Sequence, residues 1–125
     1  MLAVVMSAAA CTNPFSNSST TSTTDTFNGS LAPNGAIVFT FDVTTAGSVS
    51  VTLTSVSPST TSALGLGVGP SSNGTCSVTN STSSAVAGST AQLTATENPG
   101  TYCVKVSDTG NLTTTSTVTV AVAHS

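Results

Sequence analysis

The sequence predicts an all-β fold, an antiparallel β-sandwich of about seven or eight short strands. Three observations carry that prediction. Apolar residues recur with period two in six separate runs. Turn-forming clusters rich in Gly, Pro, Asn and Ser fall between the runs. The composition is weighted toward residues that suit pleated surfaces and turns: 26 Thr and 22 Ser among 125 residues, against 4% charged. Low charge alone would also suit a disordered chain. Disorder requires low hydrophobicity as well, and here 38% of residues are hydrophobic and the mean hydropathy is +0.32.

The runs follow in chain order. In AIVFTFDV, residues Ile37, Phe39, Phe41 and Val43 share one face, with Val38, Thr40 and Asp42 on the other. SVSVTLTS sets Val49, Val51 and Leu53 against Ser and Thr. SALGLGVG sets Leu64, Leu66 and Val68 against Gly65 and Gly67. AQLTA contributes Ala91, Leu93 and Ala95; TYCVKV contributes Tyr102, Val104 and Val106; STVTVAV contributes Val118, Val120 and Val122. Each reads as a half-buried strand with one wet face, and the β-branched content disfavours helix. The clusters APNGA, TTAG, SPSTT, GPSSNGT, ENPG and SDTGN separate them.

Within NPGTYCVKV, Pro99 presets a turn and Gly100 gives it a permissive backbone. Tyr102, Val104 and Val106 then face the core, and Cys103 and Lys105 face out. Lys105, the single basic residue, is expected as a solvated strand residue beside Glu97 or Asp108, or as a charge that discourages edge pairing. A ligand-binding lysine is the alternative.

The amino-terminal part divides differently. Residues 1–11, MLAVVMSAAAC, form an apolar run closed by small residues and Cys11, the pattern of an export signal, and the run is too short to span a bilayer as a helix. Ala8-Ala9-Ala10-Cys11 resembles a bacterial lipobox, in which the cysteine is lipidated, although Ala8 stands where that motif prefers Leu. A plain secretory signal and a short buried helix are the other readings. Residues 12–24 are rich in Ser and Thr without periodicity and read as a linker. Residues 25–125 are assigned to the sandwich. The chain is accordingly expected to be exported, to the bacterial cell surface or to the outer membrane or periplasm, and anchored in the membrane through Cys11 or secreted. In that setting Cys76 and Cys103 are expected to form a disulfide, with two free buried thiols as the alternative.

Several function classes lack their parts. One lysine and no arginine cannot neutralise a run of phosphates, so no nucleic-acid partner is expected, and no polybasic membrane patch exists. The single histidine, His124, lies beside the carboxyl end and is expected to be frayed, which leaves no base for a Ser-His-Asp arrangement. Asp25, Asp42, Glu97 and Asp108 are scattered. No Cys-x-x-Cys occurs, and GLGVG lacks the lysine and helix of a phosphate loop. No catalytic residue, metal site or cofactor is expected, and the chain is read as not being an enzyme. Five Asn-x-Ser/Thr sequons occur, at Asn17, Asn28, Asn73, Asn80 and Asn111, against about three expected by chance in so Ser/Thr-rich a chain.

One stretch carries a resemblance. Phe39-x-Phe41, Gly47-x-Val49-x-Val51-x-Leu53, Leu64-x-Leu66 and Pro99-Gly100-Thr101-Tyr102-x-Val104-x-Val106 together are similar to the bacterial pre-peptidase C-terminal domain, over roughly residues 34–122. The resemblance implies a jelly-roll-like sandwich serving as an accessory module of secreted or surface proteins. Cys103 stands where the family has a second tyrosine. Ser62 and Ala63 replace acidic residues, so the calcium binding of some members is not carried over. Three functions follow as expectations: a structural or adhesion module, a carbohydrate- or protein-binding accessory module, and, least, an enzyme. Solvent-exposed aromatic residues would distinguish the second from the first.

Overall fold

A computed structural model describes residues 22–58 and 62–125. Nine strands occur among them: β1 (Thr23–Leu31), β2 (Ala36–Val43), β3 (Gly47–Ser57), β4 (Leu64–Ser72), β5 (Thr75–Cys76), β6 (Asn80–Ala85), β7 (Leu93–Glu97), β8 (Gly100–Ser107) and β9 (Ser116–His124). They form two antiparallel sheets. The first has the order β1-β9-β3-β7, and the second the order β2-β8-β4-β5, with β6 also on β4.

β5 and β6 are one irregular strand beside β4. Ser77 N donates to Pro70 O and Thr79 N to Val68 O, so the pairing continues between them through a bulge. Counted as one, they make eight strands. Each connection then crosses from sheet to sheet, except the β4–β5 hairpin, which is the topology of a jelly roll. That hairpin turns on Asn73 and Gly74, both at positive φ (53° and 77°), with Ser72 opposite Thr75. Two left-handed residues in a two-residue loop match the twist of the flanking strands, which is why Asn-Gly stands here.

All six period-two runs are strands, and their apolar faces meet between the sheets. Val49, Val51, Leu53, Val118, Val120 and Val122 of the first sheet oppose Phe41, Leu64, Leu66, Val68, Val104 and Val106 of the second, all at 4% exposure or less. The AQLTA run begins two residues later than expected, at Leu93; Gln92 before it donates its main-chain N–H to Val51 O and adds side-chain bonds. Its amide oxygen accepts from Leu53 N, and its Nε2 donates to Leu53 O and Val86 O.

Two strands lay outside the sequence reading. β1 begins at Thr23, two residues inside the segment read as linker, and pairs with β9 from Thr23↔His124 to Leu31↔Ser116. Its inward face is Asp25, Phe27, Gly29 and Leu31, so a carboxylate and a glycine hide the apolar alternation. Gly29 has a packing reason: a Cβ there would lie 2.9 Å from Ile37 Cδ1 and 3.1 Å from Phe39 Cζ. Phe27 stacks on Phe39 with centroids 5.0 Å apart, closing the flank where edge strands β1 and β2 meet.

Candidate functional site

The outer face of the second sheet is where the residues singled out in the sequence converge. β8 is paired on both sides, with β2 and with β4. Across that face three rows run: Thr40, Cys103 and Gly69; Val38, Lys105 and Gly67; Ala36, Ser107 and Gly65. In these rows β4 presents only glycine outward, and each glycine has a neighbour where its side chain would be.

The Gly69 row explains the cysteines. β4 lies between β8 and β5, and second-neighbour strands of a flat sheet sit about 9–10 Å apart. The Cα atoms of Cys76 and Cys103 are nevertheless 5.7 Å apart, and their sulfur atoms lie at disulfide distance. The chain after Cys76 has folded over β4. A Cβ on Gly69 would fall within van der Waals overlap of Ser77 O, so only glycine allows the crossing. Cys103 faces out of the sandwich as expected, but it is fully buried because this crossing segment covers it.

Beyond the crossing the face opens into a groove of about 570 Å³. Gly65, Leu66 and Gly67 form its floor. Val78, Ser81 and Ser83 line one side, and Lys105, Ser107 and Thr109 the other. Val78 touches the floor closely, since a Cβ on Gly67 would lie 2.7 Å from its Cγ1. Lys105 is exposed and stands between Val38 and Val78, two of the three large hydrophobic residues exposed among those described.

Lys105 was expected beside Glu97 or Asp108, and it pairs with neither. The described residues include all four side-chain carboxylates of the chain, and the one contact of these with a basic side chain is Asp25 with His124. Glu97 ends β7 in the other sheet, with Oε2 buried and unpartnered. Asp42 accepts from Thr101 Oγ1 at 2.9 Å. Asp108 is nearly buried and committed to main-chain amides: Oδ2 accepts from Asn34 N, and Oδ1 from Gly110, Asn111 and Leu112 N, at 2.7–3.1 Å. The Asn34 amide is the largest influence on its acidity, burial opposes it, and the Asn111, Leu112 and Gly110 amides reinforce it. The net effect holds the carboxyl below its usual 3.8. With four N–H groups on two oxygens, Asp108 braces the β1–β2 turn to the β8–β9 loop and has little left to offer a cation.

His124 corrects the expectation of a frayed tail. It is 6% exposed, on the inward face of β9. Its Nε2 lies 2.7 Å from Asp25 Oδ2, its Nδ1 lies 3.3 Å from Ser125 O, and its ring sits 5.2 Å from that of Phe41. The end is held because β1 pairs along it and Thr44 N donates to Ser125 O at 3.0 Å. An acceptor on Asp25 calls for the hydrogen on Nε2, so the imidazole donates to Asp25 and ties β1 to β9. Among the described residues no group of three or more His, Cys, Asp or Glu is placed to hold a metal. Cys11 lies outside the described residues.

No protein-family model matches the chain, and no curated protein matches it. The groove was missed at the sequence level because most of its lining is Ser, Thr and Gly, which are common throughout the chain. The one available signal was the Gly-x-Gly-x-Gly backing of a single strand.

Proposed function

We propose that this chain is a non-catalytic β-sandwich module held outside the cytoplasm by a lipid on Cys11, with a structural or adhesion role at the bacterial cell surface. The observation that carries the reading is the Cys76–Cys103 pair at disulfide distance across Gly69, an arrangement suited to an oxidising compartment. The jelly-roll topology supports descent from the pre-peptidase C-terminal type of accessory module. The engagement of His124 and Asp108 in bracing the fold supports the absence of chemistry, since general acid–base work needs a titratable group free to meet a substrate. The test is metabolic labelling with a palmitate analogue in a bacterial host. The full chain should carry the label and partition into detergent, and Cys11→Ser should do neither; equal labelling of both would contradict the reading.

A second reading, a carbohydrate- or protein-binding accessory module, is supported by the groove beside Lys105, whose volume lies within the range of small-molecule sites. Among the described residues no aromatic ring is fully exposed, as Phe27 and Phe39 are half-buried and Phe41 and Tyr102 buried. That counts against a stacking platform and leaves hydroxyls and one ammonium as the means of recognition. Retention of the full chain on a panel of immobilised neutral and acidic polysaccharides and surface proteins tests it; no retention on any would overturn it.

A further inference from the structure

We infer that the groove over Gly65 and Gly67 is a binding site for an acidic saccharide, a sugar carrying a carboxylate, with Lys105 as its anchor; this rests on the binding-module reading. Three observations lead there. The chain's single cation has no carboxylate partner, although all four side-chain carboxylates lie within the described residues. An ammonium left unpaired at the side of a groove is a ready partner for an anion. The polar lining is otherwise hydroxyl, from Ser81, Ser83, Ser107 and Thr109, which can both donate and accept and so suit the hydroxyls of a sugar. Val78 in the groove and Val38 beside Lys105 on β2 are exposed and offer apolar contact to the C–H face of a pyranose.

A peptide fits the groove less well. β4 and β8 are paired on both sides, so their main-chain groups are used and an extended peptide finds no open edge there. A neutral sugar would lack a partner for Lys105 and would find no fully exposed ring to stack on among the described residues. The glycines matter for shape. A Cβ on Gly65 would come within overlap of Ser107 Oγ, and one on Gly67 would meet Val78, so side chains on β4 would fill the floor.

The experiment is an amide NMR titration of the full chain with trigalacturonate, with the neutral galactose trisaccharide and an oligoglutamate of equal charge as comparisons. Trigalacturonate should shift the amides of Gly65, Gly67, Lys105 and Ser107, and added salt should weaken it. Lys105→Met keeps the aliphatic stem and should weaken binding about tenfold, the factor expected of one charge-assisted hydrogen bond. Lys105→Arg should retain binding. Absence of shifts at millimolar ligand, or binding unchanged in Lys105→Met, overturns the inference. Equal binding of the neutral sugar removes the requirement for the acid, and equal binding of oligoglutamate removes the saccharide. Shifts elsewhere on the sandwich, or retention on neutral polysaccharide alone, overturn this site while the binding-module reading stands. No retention on any polysaccharide or protein overturns both.

Discussion

The two sheets bury similar apolar faces and turn different faces outward. The outer face of the first sheet is a field of small, mostly polar residues, with Ala121 and Ala123 among them. It carries Thr24, Thr26, Asn28 and Ser30 on β1, Thr117 and Thr119 on β9, Ser48, Ser50 and Thr52 on β3, and Thr94 and Thr96 on β7. Its side chains bond locally across strands, as Thr119 Oγ1 does to Asn28 Oδ1 at 2.7 Å. The outer face of the second sheet holds the three glycines of β4, the cysteine pair, the lone cation and two exposed valines. The first face is a solvated surface in which one hydroxyl does as well as another. On the second, side-chain size and charge are set position by position, because a segment crosses it and a groove opens beside the crossing.

Substitutions on the two faces should therefore differ sharply. The largest effect is expected from Cys76→Ala with Cys103→Ala. Opening a crosslink between residues 27 apart in sequence should cost about 3–4 kcal/mol by the chain-entropy argument, read from the urea midpoint. A loss under about 1 kcal/mol would mean that the crossing holds itself without the bond. Gly69→Ala comes next, at roughly 2–3 kcal/mol, since the obstacle is the main chain at Ser77 rather than a flexible side chain. At the far end of the face, in Thr117→Ala of the first sheet, the change should stay within about 0.5 kcal/mol.

Two bracing contacts sharpen the contrast from within the sandwich. Deleting His124 and Ser125 removes the Asp25 contact and the acceptor for Thr44 N, and should lower stability by about 1–3 kcal/mol. An unchanged melting temperature would restore the frayed tail. Asp108→Asn should destabilise in a pH-dependent way. The folded state lowers the pKa of this carboxyl, so its contribution is fully present above the unfolded value near 3.8 and is lost as pH falls through the folded value. The gap in stability between the parent and Asp108→Asn should be constant from about pH 5 upward and close below about pH 4. A gap that widened in acid would reverse the sign.

The same contrast explains what could be read from the sequence. Strands with one face in the core and one in water announce themselves by period two, and Phe39-x-Phe41, Val49-x-Val51-x-Leu53 and Val118-x-Val120-x-Val122 did so. β6 is an outermost strand with a mostly wet lining, so NSTSSA shows no alternation. β1 was obscured by Asp25, whose inward position makes sense only once His124 stands opposite, 99 residues away in sequence. Lys105 was legible as outward-facing, but its lack of a partner depends on where Glu97 and Asp108 go, which period two does not encode. The nearness of Cys76 to Cys103 was expected from the export pattern alone. The reason it is geometrically possible, glycine at position 69 beneath the crossing, is a fact of the fold.

The most direct test is mass spectrometry of the exported full-length protein, alkylated and digested without reduction. The chain has a single lysine and no arginine, so the protease should cut at aliphatic residues rather than at basic ones. A peptide pair joined through Cys76 and Cys103 is expected, with Cys11 in a separate peptide bearing a lipid. Recovery of Cys76 and Cys103 as two alkylated, unlinked peptides would contradict it.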